Sequence, residues 1–164
     1  MARSPEAGRR EEYGWPTTED YARAANGRLL PRRTAESDRF WASCHEGRME
    51  LQRCSQCGRF WYYPGPLCPH CSSPDYSWEP VSGNGVVHTF SWVHRPAPGF
   101  ADQVPYAYAL VELEEGPVLA TNVTDCDEGD LHISLPVSVH YFALDPEISL
   151  PLFRPRGTDA EAGL

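Results

Sequence analysis

The chain has 164 residues, 41% of them apolar, with 16 Pro and 13 Gly, which suits one domain or two small ones made of short elements joined by many turns. Its formal charge is −9, and all 14 basic residues are Arg. The absence of Lys excludes a Schiff-base lysine, a pyridoxal-attachment lysine and a P-loop lysine.

The opening stretch MARSPEAGRREEYG has no apolar core of a signal peptide, and no run approaches the roughly 18 apolar residues of a membrane span. A cytoplasmic location without membrane association is the expectation. In that compartment clustered Cys more often bind metal than pair as disulfides. The charge is uneven: residues 79–155 carry 2 Arg against 11 acidic residues, so that half is a poor surface for polyanions.

In chain order, residues 1–16 read as a polar tail and 17–47 as two N-terminal helices. The first helix covers TTEDYARAANGRLL, capped at Thr17 with Asp20 three residues on and ended at Asn26-Gly27. After the linker LPRR, TAESDRFWASCHEG forms the second, with Thr34 or Ser37 as cap. Phe40, Trp41 and Cys44 share one face of it, and Gly47 is the stop. RMELQRC then alternates as a strand, Met49 and Leu51 inward, Glu50 and Gln52 outward, and RFWYYP is its return.

Residues 48–78 form the next unit. Cys54, Cys57, Cys68 and Cys71 give C-x2-C-x10-C-x2-C, two thiolate pairs that each clasp one ion from a tight turn. Four thiolates complete a tetrahedral shell with no open position, which points to a structural zinc rather than a catalytic one; iron is the competing metal for such a set. Gly58 follows the first pair, where the turn needs a left-handed or closely approached backbone. His70, inside the second pair, reads as a solvent-facing loop residue. Cys44 reads as core. Cys126 lies in TDCDEGD, where acidic neighbours disfavour a thiolate.

From residue 79 to 155 the texture changes. GVVHTFSWVHRP, YAYALVEL, PVLATNVTD, PVSVHYFAL and SLPLFRP are five β-branched, aromatic runs punctuated by Gly, Pro and Asp. Five short strands fit a small barrel, and CDEGDLHISL has room for one helical turn. Residues 156–164 read as a second tail. The fold class is therefore mainly β: N-terminal helices, a four-Cys zinc ribbon and a five-stranded barrel.

That order resembles the DUF35 family, through FWASCHEGRMELQRCSQCGRFWYYPGPLCPHC, GNGVVHTFSWVHRP and PYAYALVELEEGPVLATNVTDCDEGDLHISLPVSVHY. Together these pieces occupy most of the stretch from 34 to 155. The chain departs from the family at ISLPV, where Ser134 replaces a common Gly; this is expected to change little. The resemblance implies a rubredoxin-like zinc ribbon followed by an OB-fold. It also implies a thiolase-fold partner, an aldolase of lipid-transfer-protein type or a thiolase, in a heterotetramer of two plus two that handles acyl-CoA. In that arrangement the partner carries the carbon–carbon chemistry of a lyase or thiolase. By the same resemblance, the present chain is expected to be a required, non-catalytic scaffold that helps shape the substrate channel. Steroid side-chain degradation, aromatic catabolism and polyketide acylation are all open as settings.

The residues bear on the alternatives. A nucleic-acid-binding zinc-ribbon and OB module needs a basic groove, and Arg95 and Arg154 are the only cations between 79 and 155. An electron carrier needs iron and gives the barrel no role. A free-standing enzyme would need a nucleophile: there is no G-x-S-x-G and no dinucleotide glycine motif. His88, His94, His132 and His140 thus stand as bases without a partner, and no catalytic residue is assigned. Arg95, in His94-Arg95-Pro96, is the candidate for a CoA phosphate, since a guanidinium meets phosphate in bidentate fashion. Phe60, Trp61, Tyr62 and Tyr63 stand in a row. Alternate members of a strand face opposite sides, so they need cover from the helices or from a partner.

Overall fold

The computed structural model describes residues 22–25, 27–96, 100 and 103–157. The tail over 1–16, the first five residues of the first expected helix and the end of the second tail lie outside them. The described remainder of that helix is not helical. The chain between Ala22 and Leu30 reverses on itself: the Ala24 N–H donates to Arg28 O and the Leu30 N–H to Ala22 O, each at 2.9 Å, with an antiparallel bridge between Arg23 and Leu29. Gly27, the expected helix stop, serves this reversal at φ 81°.

The second helix is present as α1, Asp38–His45. Thr34 and Ser37 do not cap it through their side chains. They lock each other one turn earlier, Ser37 Oγ accepting the Thr34 N–H at 3.0 Å and Thr34 Oγ1 accepting the Ser37 N–H at 3.3 Å. Gly47 at φ 77° ends the segment. Phe40, Trp41 and Cys44 form its buried face.

Strands β1 (Glu50–Cys54), β2 (Phe60–Trp61) and β3 (Tyr76–Pro80) make an antiparallel sheet in the order β2-β1-β3. Met49 and Leu51 face the main core as expected, but Glu50 and Gln52 are buried too. The reason is that β1 is central and covered on both sides. On its second face Glu50 is held by Arg39 Nε at 2.8 Å and by Arg48. Gln52 accepts the Gly65 N–H at 2.9 Å and donates to Gly65 O at 3.0 Å. Burial of these polar groups is tolerated because each finds a partner.

The five runs after residue 79 are strands β4 (Asn84–Val93), β5 (Tyr106–Leu113), β6 (Val118–Val123), β7 (Pro136–Ala143) and β8 (Ser149–Pro155). They close a barrel in the order β4-β5-β6-β8-β7. All neighbours are antiparallel except β6 and β8, an OB-fold arrangement. A bulge at Val87/Thr89 bends β4. CDEGDLHISL contributes a single turn, the Asp130 N–H donating to Asp127 O at 3.1 Å.

Alternation packs Val87, Ala109, Val111, Leu119, Val137 and Phe153 inside the barrel. The same cluster takes in Phe40, Trp41 and Cys44 of α1 with Met49 and Leu51. The helix and the start of β1 therefore share one continuous core with the barrel, with α1 packed on β7, β8 and β1. No helix among the described residues is long and apolar enough to cross a membrane.

Candidate metal centre

Two tight turns bring the four cysteines together. Cys54 ends β1; its O accepts the Gly58 N–H at 2.9 Å, and Gly58 sits at φ 71° as the turn requires. In the second turn the Cys68 N–H donates to Ser73 O and the Ser72 N–H to Cys68 O, at 2.9 and 2.8 Å. The four Sγ atoms all lie within 4.8 Å of one another. Cys54 and Cys71 are 3.5 Å apart and Cys57 and Cys68 3.7 Å apart. Zn–S bonds of about 2.3 Å in a tetrahedron demand S···S edges of about 3.8 Å, so the four residues fit one such ion with all positions filled. Backbone amides aimed at Cys54 Sγ, first that of Cys57 at 3.5 Å, lower its thiol pKa.

The inner pair, Cys54 and Cys68, is buried and the outer pair exposed. Behind the inner pair Trp61 and Tyr76 meet edge to face at 5.6 Å. Gln52, clamped to Gly65, holds the loop between the two turns onto β1, and Arg53 Nε donates to Gly58 O at 3.0 Å. Sequence reasoning missed this brace; its one signal was an uncharged amide in the strand that leads into the first Cys pair.

The remaining candidates are scattered. Cys44 is core, and burial pushes its thiol up to about 12. Burial first, then Asp130, Asp127 and Asp125, raises that of Cys126. His70 is exposed, with Nδ1 3.5 Å from Arg59 Nη1. His88 and His94 are exposed beside Glu112 and Glu128, and His132 bonds to Asp130 O. His140 lies 2.8 Å from Thr124 Oγ1, and burial lowers its pKa. Arg95 is exposed at the start of the β4–β5 connection. These positions are not brought into one site with the cysteines.

Of the aromatic run, Trp61 is buried behind the metal turns and Tyr62 half-buried. Tyr63 is 44% exposed, yet its hydroxyl accepts the Trp41 Nε1–H at 3.0 Å. Phe40 packs on Tyr62 and Tyr63 at 5.5 and 6.1 Å. The helix supplies much of the cover that the run needs. A cleft of about 230 Å³ opens elsewhere, on the barrel, among Trp92, Phe100, Tyr106, Asn122 and Thr124.

A closed four-thiolate ribbon joined to a five-stranded barrel defines a class of protein whose cysteine cluster can hold one metal ion with no open coordination position. Two domain models match it in tandem: "ChsH2, rubredoxin-like zinc ribbon domain" over residues 41–77 and "ChsH2, C-terminal OB-fold domain" over 78–142. A DUF35 domain-containing scaffold protein of Pyrococcus furiosus is 32% identical over 101 residues, 62% of this chain and 74% of that protein. The chain belongs to the DUF35 family. It is also 39% identical over 129 residues to a probable enoyl-CoA hydratase alpha subunit of Thermomonospora curvata, covering 77% of this chain but only 40% of that protein's length. Among solved structures, a chain of the Ltp2-ChsH2(DUF35) aldolase superposes with a TM-score of 0.70 at 35% identity, over 77% of this chain and 98% of that one.

Proposed function

We propose that the chain is a non-catalytic, zinc-bearing scaffold subunit of an acyl-CoA-processing complex, and that its partner is a thiolase-fold aldolase or thiolase. The observation that carries this reading is the match to nearly the whole length of the DUF35 chain of an aldolase assembly. The metal site agrees with it: four thiolates at tetrahedral spacing leave no position for a substrate or an activated water. Zinc in this site would be structural, holding the two turns and the Gln52-clamped loop together.

Within the complex we assign the chain to two copies bound to two partner protomers, since closed two-fold assemblies are the commonest. Its cleft beside Trp92, Phe100 and Tyr106 would contribute to the substrate channel, with apolar walls and a few polar groups suiting a thin acyl or pantetheine chain. Arg95, exposed at the barrel surface, would meet a CoA phosphate. Six cysteines with no disulfide among them favour a reducing compartment, hence the cytoplasm. The reading gives nucleic acid no part, because the barrel region is acidic.

The test is reconstitution. Metal analysis of the purified chain should give one zinc per chain, and an iron-type red absorption band would overturn the zinc assignment. The chain alone should not turn over acyl-CoA substrates, including a steroid side-chain acyl-CoA. Mixed with a thiolase-fold subunit it should co-elute and support carbon–carbon cleavage or formation. Carbon–carbon cleavage by the lone chain, with contaminating enzyme excluded, would reverse the scaffold assignment. Cys57→Ser should lose zinc and solubility together.

A further inference from the structure

We propose that the outer face of β4, β5 and β6 is the surface on which the chain docks its partner, a thiolase-fold subunit presenting an apolar patch with a basic border. This rests on the partner reading above and adds where the contact is made.

The cross-strand register carries the argument. Val86 pairs with Glu112 and Glu112 with Val118; Thr89 pairs with Leu110 and Leu110 with Ala120. Directly paired residues share a face. The intervening residues, Val87, Ala109, Val111 and Leu119, fill the barrel, so these two rows and Tyr108 point outward. An antiparallel barrel normally turns polar residues to solvent. Here Val86, Tyr108 and Val118 are 38%, 48% and 39% exposed. Ile133, 62% exposed, adjoins β4 through the bond from the Ser134 N–H to Val87 O. The three strands contain no Arg and a single carboxylate, Glu112. That carboxylate lies 3.8 Å from His88 Nδ1 on the same face. Exposed apolar residues grouped on one sheet face, here with Thr89, Ser91, Glu112 and Asn122 among them, mark an interaction surface.

Charge selects the occupant. No Arg lies on the three strands, and Arg156, which borders the face beside Val86 and Glu112, is paired with Glu114, so neither an anionic lipid surface nor a nucleic acid is attracted to it. A second copy is opposed by the chain's own charge of −9. A partner whose apolar patch is bordered by Lys and Arg is complementary to the acidic barrel around the face, and such a pair associates faster at low salt.

The experiment measures binding of the full chain and its variants to the Ltp2 component of the Ltp2-ChsH2(DUF35) aldolase. Tyr108→Thr preserves strand propensity while removing the ring, and Ala120→Glu places a charge in the patch. Leu67→Thr alters an exposed apolar residue of the ribbon, off the face. The expected result is binding weakened about tenfold or more by each of the first two, with Tm held within about 3 °C. Leu67→Thr should bind as the native chain does. Added salt should slow association of the native chain. If Tyr108→Thr stays folded and binds normally, the surface is wrong while the partner reading stands. If the native chain binds neither Ltp2 nor the thiolase-fold subunit used in the reconstitution, the partner reading fails and takes the surface with it. If the chain alone sediments as a dimer that Ala120→Glu dissociates, the face is a self-interface and the proposal is overturned.

Discussion

Replacing Phe40 with Ala asks what covers the FWYY run. The Phe40 ring is fully buried. It meets Trp41 at 4.9 Å and 73°, Tyr62 at 5.5 Å and Tyr63 at 6.1 Å, and it lies in the same cluster as Met49, Leu51 and the barrel interior. Truncating a buried Phe costs about 3–5 kcal/mol, including the cavity left behind, and three ring neighbours place this site in the upper part of that range. At roughly 2–4 °C per kcal/mol for a domain of this size, Tm should fall by about 12 °C. Differential scanning calorimetry measures the fall. Near-UV circular dichroism should show loss of the Trp41 and tyrosine environment, while far-UV barrel signal persists below the transition. A drop of under about 4 °C would mean that the helix is not the cover, and that Tyr62 and Tyr63 owe their order to another surface.

Trp61→Ala should unfold the ribbon rather than weaken docking selectively, because Trp61 backs Cys54 and Cys68; a folded, zinc-loaded variant by metal analysis and calorimetry would refute this. Ser134→Gly should raise Tm by about 2–4 °C, since Ser134 sits at φ 67°, where a side chain costs about 1–2 kcal/mol and Gly recovers part of it; an unchanged or lower Tm counts against it. His140 has its folded pKa lowered by burial below an ordinary value near 6.5. The unfolded chain therefore binds this proton first, and stability should decline as pH falls through the window from about 6.5 to the folded value. Denaturant titrations of the native chain and His140→Gln should show a shallower decline in the variant, and parallel curves would remove His140 as the cause.

What could be read from the sequence divides by the range of the interaction. The metal turns were legible because two residues between thiolates and a following Gly are local chemistry. The five strands were legible because each run is bounded by its own turn residues. The helix face of Phe40, Trp41 and Cys44 follows from periodicity alone. Glu50 and Gln52 were misplaced because alternation assumes one wet face, and whether a strand is central depends on partners far along the chain: Gln52 owes its burial to Gly65, Glu50 to Arg39. Ser134 was read as a change of little consequence; its backbone is left-handed, at φ 67°, a conformation that suits the Gly which the family resemblance leads one to expect there. The segment ending in this reversal over 22–30 was read as helix because cap and stop residues carry no information about a bridge between Arg23 and Leu29. The outer face of β4–β6 was invisible until pairing put Val86, Val118, Leu110 and Ala120 on one side.

The two cores differ in what holds them, and metal removal should separate them. Met49 and Leu51 anchor the start of β1 in the barrel cluster, whereas Cys54, at its end, belongs to the small cluster with Trp61 and Cys68. The small cluster has too little apolar area to stay ordered without the metal, because in so small a unit metal binding supplies much of the folding free energy. Stripping the proposed zinc with a chelator should therefore open the ribbon as a local unit. In hydrogen exchange the amides of Cys54, Gly58, Cys68 and Ser72, which bond to Arg59 O, Cys54 O, Ser73 O and Cys68 O, should become fast. Those of Val87, bonded to Leu135 O, and of Ala109 and Val111 inside β5 should remain slow. Uniform loss of protection would show that the barrel depends on the metal as well, joined to it through β1. Unchanged protection at the four ribbon amides would show that the thiolate cluster is not the staple of this fold.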